Sequence, residues 1–275
     1  MASFAPKLTA HGAEIPAIGF GTSGMGDVRA EHVATALKVG YRHIDTARKY
    51  GTEGVVGEGM YASGVPRTDI FLCTKVSHEN LHAGDFARSV EQSLAALRVD
   101  YVDLLLVHWP EKNTPLAETM GALAKAKREG LTRHIGVANF NIALLKTVIE
   151  DIRAPIACNQ VEYHVMLDQT PLRKYLASKA IPLVAYCPLA QGRVAGDPTL
   201  AAIGRKHGAS AAQVALKWLL DQDGVAAIPK ASRSESQRAN LDAQHIGLDD
   251  EDRQAIAALP KDRRCVNPGF APVWD

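Results

Sequence analysis

The chain has 275 residues and a mass of 29.6 kDa, and 47% of its residues are apolar. Its formal net charge is +1, from 31 Lys and Arg against 30 Asp and Glu, so no broad field of one sign would attract nucleic acid or anionic lipid. The N-terminus lacks the basic start and apolar run of a signal peptide, and no segment approaches the roughly 20 apolar residues of a membrane span. These features predict a cytoplasmic protein that binds small molecules.

The four cysteines are spread along the chain without a C-x-x-C pair, and three of them lie inside apolar runs. They are Cys73, Cys158, Cys187 and Cys265. Scattered thiols of this kind indicate a reducing compartment and mostly buried, unpaired side chains. We predict no metal cofactor.

Apolar runs of strand length alternate with segments of helical periodicity along most of the chain. The runs span residues 17–22, 41–47, 70–76, 102–109, 134–140, 157–164, 182–189 and 225–232. Such alternation is typical of βα units that build a parallel sheet. Before the first run, residues 7–15 predict a hairpin around His11 and Gly12. Eight repeats without a Ser/Gly-rich linker predict one α/β domain over residues 1–275, a (β/α)8 or TIM barrel.

Helices are predicted between the strands from apolar residues at three- and four-residue spacing. Gly40, Gly130 and Gly224 follow three of these segments and are predicted C-terminal stops. The gap before the last strand is the longest and predicts two helices, at about 199–207 and 210–221. We therefore expect extra helices in the C-terminal part of the barrel.

Polar and aromatic side chains close most of the apolar runs. In a barrel these strand ends meet at the face where the active site lies. Burying an ion without partners costs several kcal/mol, so packing alone does not explain them, and we predict that they converge. The residues are Asp45, Lys75, His108, Trp109, Asn139, Gln160, Tyr186 and Lys230.

Asp45, Lys75 and His108, together with Tyr50 just beyond the second strand, could form a proton-donating site. An ammonium beside a phenol stabilises phenolate, so Lys75 is expected to lower the pKa of Tyr50 from about 10, while Asp45 holds Lys75 in place. A neutral His108 could orient a carbonyl oxygen toward the phenol. This set can protonate a developing alkoxide but has no electron source, so a hydride has to come from a bound cofactor.

These residues lie in motifs that closely resemble the aldo-keto reductase family. The motifs occur in family order over most of the chain, and the most similar members are bacterial 2,5-diketo-gluconate and methylglyoxal reductases. They are GFGT (19–22), IDTA (44–47) followed by Tyr50 and Gly51, TK (74–75), LLVHWP (105–110), GVANF (136–140), NQVEYH (159–164), IPK (228–230) and the ending GFAPVWD.

The resemblance implies a monomeric enzyme that reduces aldehydes and ketones with NADPH. Tyr50 would be the general acid, assisted by Asp45, Lys75 and His108, and His108 and Trp109 would contact the carbonyl substrate. The implied cofactor-binding residues are Gly21, Thr22, Asp45, Asn139, Gln160, Tyr186, Pro188, Leu189, Gln191, Gly192, Lys230, Ser232, Arg233 and Asn240. Asn139 and Gln160 would hold the carboxamide and Tyr186 would stack on the nicotinamide. Lys230, Ser232 and Arg233 would meet the 2′-phosphate, with Asn240 near the adenine.

The chain departs from the family pattern at three positions. Ala138 and Ala231 replace the usual serines, and Ser236 replaces a frequent arginine near the expected 2′-phosphate. Two expected cations remain there, so NADPH is favoured over NADH. The tail is short and is expected to cover little of the mouth, which suits small polar substrates such as 2-oxoaldehydes or keto sugars. The role of Trp274 stays open.

Two alternatives come from different classes of protein. Residues 19–24 spell G-x-G-x-x-G with Asp45 following, and Tyr175 and Lys179 form Y-x-x-x-K, the pattern of a Rossmann short-chain dehydrogenase. That interpretation lacks a serine near position 162 and leaves Lys75 and Gln160 unexplained. The second alternative is a regulatory subunit that binds nucleotide on the same barrel without turnover. Single residues could also have purely structural roles; Tyr186, for example, could be a core aromatic residue that does not contact a cofactor.

Overall fold

A computed structural model describes residues 6–24 and 28–275. In that part of the chain there are ten strands and ten α-helices. The strands are β1 Lys7–Ala10, β2 Ala13–Pro16, β3 Phe20–Gly21, β4 His43–Asp45, β5 Phe71–Val76, β6 Val102–Val107, β7 Thr132–Ala138, β8 Ile156–Glu162, β9 Leu183–Tyr186 and β10 Val225–Ala227. The helices are α1 Ala30–Val39, α2 Glu53–Ser63, α3 Ala83–Leu97, α4 Leu116–Arg128, α5 Ile142–Lys146, α6 Thr170–Ser178, α7 Pro198–Lys206, α8 Ala211–Leu220, α9 Ser234–Asp242 and α10 Asp250–Ala257.

Strands β3 to β10 form one parallel sheet in chain order, and the sheet closes on itself. At the seam, Gly19 N–H donates to the Ala227 carbonyl at 2.8 Å and Ala227 N–H donates to the Ala17 carbonyl at 2.8 Å. Gly21 N–H donates to the Pro229 carbonyl at 3.0 Å. A Cβ on Gly21 would lie 2.7 Å from the Ile228 carbonyl oxygen, so the seam requires glycine there. The predicted (β/α)8 barrel is confirmed.

Alternation along the strands separates two apolar cores. In β5, Leu72 and Val76 face the surrounding helices, whereas Cys73 belongs to a core inside the barrel. The β1–β2 hairpin, confirmed with its turn at residues 11–12, packs against this inner core through Ala13 and Ile15. Side chains alternate between the two faces of each strand, so Asp45 and Lys75 at the strand ends lie on the inward face and point into the barrel mouth.

The predicted helices are present, but the three glycines predicted as helix ends differ in how close they lie to the observed ends. Gly40 caps α1 with φ 123°, as predicted, and Gly130 lies two residues beyond α4. The prediction for Gly224 is wrong, because α8 already ends at Leu220 and Gly224 leads directly into β10. The two helices predicted in the longest gap are α7 and α8, and α9 and α10 follow β10.

Two of the four free cysteines, Cys73 and Cys158, are buried as expected, whereas Cys187 and Cys265 are only half-buried. Cys187 lines the cleft just after β9, which is why its apolar surroundings in the sequence did not mean full burial, and Cys265 lies in the polar tail. Among the described residues, no helix is long and apolar enough to cross a membrane.

Candidate active site

A cleft of about 740 Å³ opens at the C-terminal ends of the barrel strands. Most of the predicted site residues line it, which follows from the inward parity of the strand ends and from the loop after β9. These lining residues are Gly21, Asp45, Tyr50, His108, Trp109, Asn139, Gln160, Tyr186, Pro188, Leu189, Gln191, Gly192 and Lys230.

A buried ion pair forms the floor of this cleft. The Lys75 Nζ lies 2.5 Å from Asp45 Oδ1, and both side chains are at most 2% exposed. Lys75 also donates to the Thr46 carbonyl at 2.8 Å, and the second oxygen of Asp45 accepts from Gln160 Nε2 at 2.7 Å. Burial disfavours the ammonium, but the charges of Asp45, Tyr50 and Cys73 and the hydrogen bond to Asp45 together outweigh this and raise the pKa of Lys75. The pair therefore fixes a permanent cation beneath the mouth.

The Tyr50 phenol lies against this cation. Tyr50 belongs to a short helical turn after β4, and the Lys75 Nζ is 5.1 Å from its ring centroid. Burial raises the pKa of Tyr50, while Lys75 lowers it by charge and by hydrogen bonding, and the net change is upward. The expectation of a pKa below 10 is therefore wrong for the protein alone, because desolvation of the phenolate exceeds the benefit from the ammonium. Tyr50 is a protonated donor throughout the neutral range.

His108 completes the group one residue beyond β6. Its ring meets that of Tyr50 edge to face, with centroids 5.4 Å apart. Burial and the Lys75 charge lower the pKa of His108 to about 3, so its imidazole is neutral at neutral pH. A neutral ring can donate one hydrogen bond without competing for the proton that Tyr50 carries.

Two amide side chains and one aromatic ring form one wall of the cleft. Asn139 has a left-handed backbone with φ 64°, which asparagine tolerates better than most residues. Its Nδ2 donates to the His108 carbonyl at 2.9 Å, and its Oδ1 accepts from the Tyr186 hydroxyl at 2.8 Å. This contact ties the Tyr186 side chain to the end of β7. Asn139, Gln160 and Tyr186 thus lie together in the cleft, as predicted from the sequence.

The loop after β9 holds an unusual backbone over the cleft. Cys187, Ala190 and Gln191 all have positive φ, between 47° and 54°, although none is glycine. Left-handed conformations at non-glycine residues cost energy and are concentrated at ligand-binding sites. The loop presents Leu189 and Gly192 to the cleft in this arrangement.

A second cavity of about 380 Å³ lies on the far side of Lys230. Lys230 lines both cavities, and Ser232 lines the second. Arg233 is the N-cap residue of α9, and Asn240 lies buried within the same helix. Thr22 is also buried, and its hydroxyl donates to the Asp45 carbonyl at 3.0 Å. Thr22, Arg233 and Asn240 are not among the lining residues of either cavity, although all three were predicted to contact the cofactor.

The C-terminal tail packs on Trp109, which corrects the expectation that a short tail covers little of the mouth. The Phe270 ring meets Trp109 edge to face at 5.6 Å and stacks on His78 at 4.0 Å. The Trp274 ring lies 6.0 Å from that of Trp109, and Val266 lines the cleft itself. The tail reaches so far because its last residues bond to the start of α5: Ile142 N–H donates to the Asp275 carboxylate at 2.9 Å.

The features that suggested a Rossmann dehydrogenase have other positions in this barrel. The G-x-G-x-x-G segment contains the short barrel strand β3, and Asp45 is paired with Lys75. Tyr175 donates to Glu150 at 3.1 Å and Lys179 forms an ion pair with the same carboxylate at 2.9 Å, on the outside of the barrel. The Rossmann interpretation is therefore wrong, because the barrel topology separates Tyr175 and Lys179 from the cleft.

Six residues that line the cleft were missed: Ser23, Gly24, Cys187, Ile228, Pro229 and Val266. Ser23 lines the cleft, and its side chain is in hydrogen-bonding reach of Tyr50. Its position directly after the GFGT motif was a usable signal. Val266 also lines the cleft, but no local pattern indicates it, because the tail reaches the mouth only through the fold.

The sequence profile of the Aldo/keto reductase family matches residues 17–261, so the chain belongs to that family. It is 43% identical over 266 residues to methylglyoxal reductase DkgB of Escherichia coli O157:H7, covering 95% of this chain and 99% of the relative. It is 40% identical to glyoxal reductase of Bacillus subtilis, covering 92% of each chain. A crystal structure provisionally described as 2,5-diketo-D-gluconic acid reductase B superposes with a TM-score of 0.93 at 42% identity, covering 98% of each chain.

Proposed function

We propose that this protein reduces aldehydes and ketones to alcohols with NADPH, and that Tyr50 delivers the proton. The observation that carries the proposal is the buried Lys75 ammonium, held by Asp45 and placed against the Tyr50 ring in an open cleft. A cation and a phenol in contact at the floor of a cleft suit charge development on a carbonyl oxygen. Family membership supports carbonyl reduction as the reaction class.

The residues around the cleft fit a nicotinamide cofactor. Amide groups at Asn139 and Gln160 and the ring of Tyr186 lie beside Asp45 and Tyr50 in the same wall, where a carboxamide and a flat ring could be held. Lys230 and Ser232 continue the surface into the second cavity, with Arg233 next in sequence. These basic and hydroxyl side chains suit a phosphate group. Bound NADPH would supply the hydride that the protein side chains lack.

Four side chains at the proposed reacting centre would donate the proton, stabilise the resulting phenolate and orient the carbonyl oxygen. Tyr50 donates its phenolic proton to the carbonyl oxygen as negative charge develops there. Lys75 stabilises the phenolate left behind, and Asp45 keeps the ammonium in position. His108, neutral and in edge-to-face contact with Tyr50, orients the carbonyl oxygen by donating a hydrogen bond. Trp109 lines the cleft beside His108 and limits where the rest of the substrate can lie.

The proposed substrates are small carbonyl compounds, 2-oxoaldehydes or keto sugars, taken from a cytoplasmic pool by a monomeric enzyme. The names of the methylglyoxal and glyoxal reductases that the chain resembles support the first class. The decisive experiment measures consumption of NADPH and of NADH with methylglyoxal, glyceraldehyde and keto sugars. We expect turnover with NADPH, and an absence of turnover with every carbonyl in the presence of bound NADPH would favour the regulatory-subunit alternative.

Replacement of Lys230 by alanine should weaken NADPH binding more than NADH binding. A charge-assisted contact with the 2′-phosphate is worth about 1.5 to 3 kcal/mol, so the Kd for NADPH should rise about tenfold or more. The Kd values can be measured by quenching of tryptophan fluorescence. Lys179→Ala is the matched control, because Lys179 is paired with Glu150 outside the barrel. Equal weakening of both nucleotides by Lys230→Ala would contradict the assignment.

A further inference from the structure

A second buried carboxylate lies near the cleft and has no part in the proposed chemistry. Glu162 is the last residue of β8, two positions beyond Gln160, and its side chain is fully buried. It accepts from Cys265 N–H at 2.6 Å, from Val266 N–H at 2.8 Å and from His164 Nε2 at 2.9 Å. Two of these three donors are consecutive backbone amides of the tail. Glu162 therefore holds the tail at residues 265 and 266, beyond the end of α10 at Ala257 and where the tail reaches the mouth.

The three side chains Glu162, His164 and Cys265 could also suggest a metal site, because their ligand atoms all lie within 4.8 Å of one another. Two contacts argue against that interpretation. Met166 N–H donates to His164 Nδ1 at 3.3 Å, which places the ring proton on Nε2, where it is donated to Glu162. A metal would need the lone pair of that same nitrogen. The cluster is instead a closed set of hydrogen bonds around a carboxylate.

The segment that Glu162 holds reaches the substrate side of the cleft. Val266 lines the cleft, and four residues later Phe270 begins the aromatic contacts with Trp109 and His78. The far end of the tail is attached to the start of α5 by Asp275. Just before this segment, Arg263 N–H donates to the Met166 carbonyl at 2.9 Å, so the chain is already held there. The bonds to Glu162 extend that attachment to residues 265 and 266, and without them the stretch that ends on Trp109 would be freer to move away.

We propose that Glu162 is a positioning residue, which holds residues 265–275 as one wall of the carbonyl-binding opening and thereby sets the KM for the substrate. The inference rests on the proposed function. It assigns to Glu162 no contact with the reacting atoms, since its carboxylate faces the tail and His164. Asp45 and Lys75 lie on other strands and keep their own partners, so the rate of the chemical step should depend little on Glu162.

The test compares E162Q with the wild type, using 4-nitrobenzaldehyde as the carbonyl probe and NADPH as the cofactor. Glutamine keeps the size of the side chain but offers one acceptor oxygen to two backbone donors. We expect KM for the aldehyde to rise about tenfold, which corresponds to about 1.4 kcal/mol. The kcat and the Kd for NADPH should change far less, and a protease should cleave the tail faster. An unchanged KM would overturn the proposal.

Two further variants separate this effect from general destabilisation. Asp252 is likewise a buried carboxylate that accepts from several donors, among them Lys206 at 2.9 Å and His207 at 2.6 Å, but it lies in α10. D252N should lower the melting temperature and leave KM unchanged; a matching rise in KM would contradict a specific role for Glu162.

The double variant F270A/W274A removes the tail's aromatic contacts and leaves Glu162 intact. It should raise KM by itself, and adding E162Q to it should produce little additional rise, because both changes act through the same wall. Additive effects would overturn the proposal. If E162Q alone fails to fold, F270A/W274A by itself tests the wall, and an unchanged KM in that variant would overturn the proposal. If the wild-type protein itself showed no turnover, the proposed reductase function would be refuted instead.

Discussion

Replacement of Tyr50 by phenylalanine should lower kcat for carbonyl reduction by about 10²- to 10⁴-fold, the usual contribution of a positioned general acid. The phenol is the protonated donor beside Lys75, and phenylalanine retains the ring that contacts His108 while removing the proton. NADPH binding should be retained, because Tyr50 is not among the residues proposed to hold the cofactor. Steady-state rates and fluorescence titration with NADPH measure the two quantities separately.

The pH profile adds an independent check on Tyr50. Burial raises the pKa of Tyr50 above its ordinary value of 10. The pKa of His108 is lowered to about 3, so its imidazole is already uncharged well below pH 7. Neither group should therefore titrate near pH 7. The kcat of the wild type should therefore be nearly constant through the neutral range.

Tyr163→Phe is the control for Tyr50→Phe, since Tyr163 is buried but donates to Gln222 away from the cleft. Equal rates for Tyr50→Phe and the wild type would mean that another group delivers the proton.

Asp45→Asn should lower both the rate of hydride transfer and the stability of the fold. The substitution leaves the Lys75 ammonium without its carboxylate partner, and breaking a buried pair from one side typically costs about 3–5 kcal/mol. It also lowers the pKa of Lys75, because burial is then no longer offset by a negative charge. Cofactor affinity should remain close to that of the wild type. Stopped-flow rates, urea unfolding and nucleotide titration measure the three effects.

The matched control for Asp45→Asn is Asp103→Asn. Asp103 is also a buried aspartate, paired with Arg67 at 2.7 Å, but it lies near the start of β6 at the base of the barrel. Its replacement should destabilise the protein without changing hydride transfer in the folded enzyme. If Asp45→Asn affected stability alone, as this control should, the pair would be structural and the proposed role of Asp45 would fail.

Much of the barrel and of the cleft could be predicted because both depend on short-range patterns. Strand periodicity determines which side chains point inward, so Asp45 and Lys75 could be placed at the mouth before any distance was known. The motifs of the family then identified Asn139, Gln160 and Tyr186. Helix ends were less predictable, since Gly224 serves the start of β10 and not the end of α8.

The features that could not be predicted depend on distant parts of the chain. The balance between burial and charge at Tyr50 needs the depth of the phenol, which no spacing encodes. The contact of Phe270 with Trp109 joins positions about 160 residues apart and requires the whole barrel to bring them together. The attachment of the tail to Glu162 is of the same kind, because the partners on the tail are backbone amides that any sequence would supply.

The hairpin at the N-terminus fills the end of the barrel opposite to the cleft, where Ala13 and Ile15 pack against the inner core. The proposed chemistry uses the cleft end of the barrel, whereas the hairpin end contributes packing to the inner core. Protein engineers could exploit that division: thermal tolerance could be raised by redesigning the hairpin, with turnover left as it is.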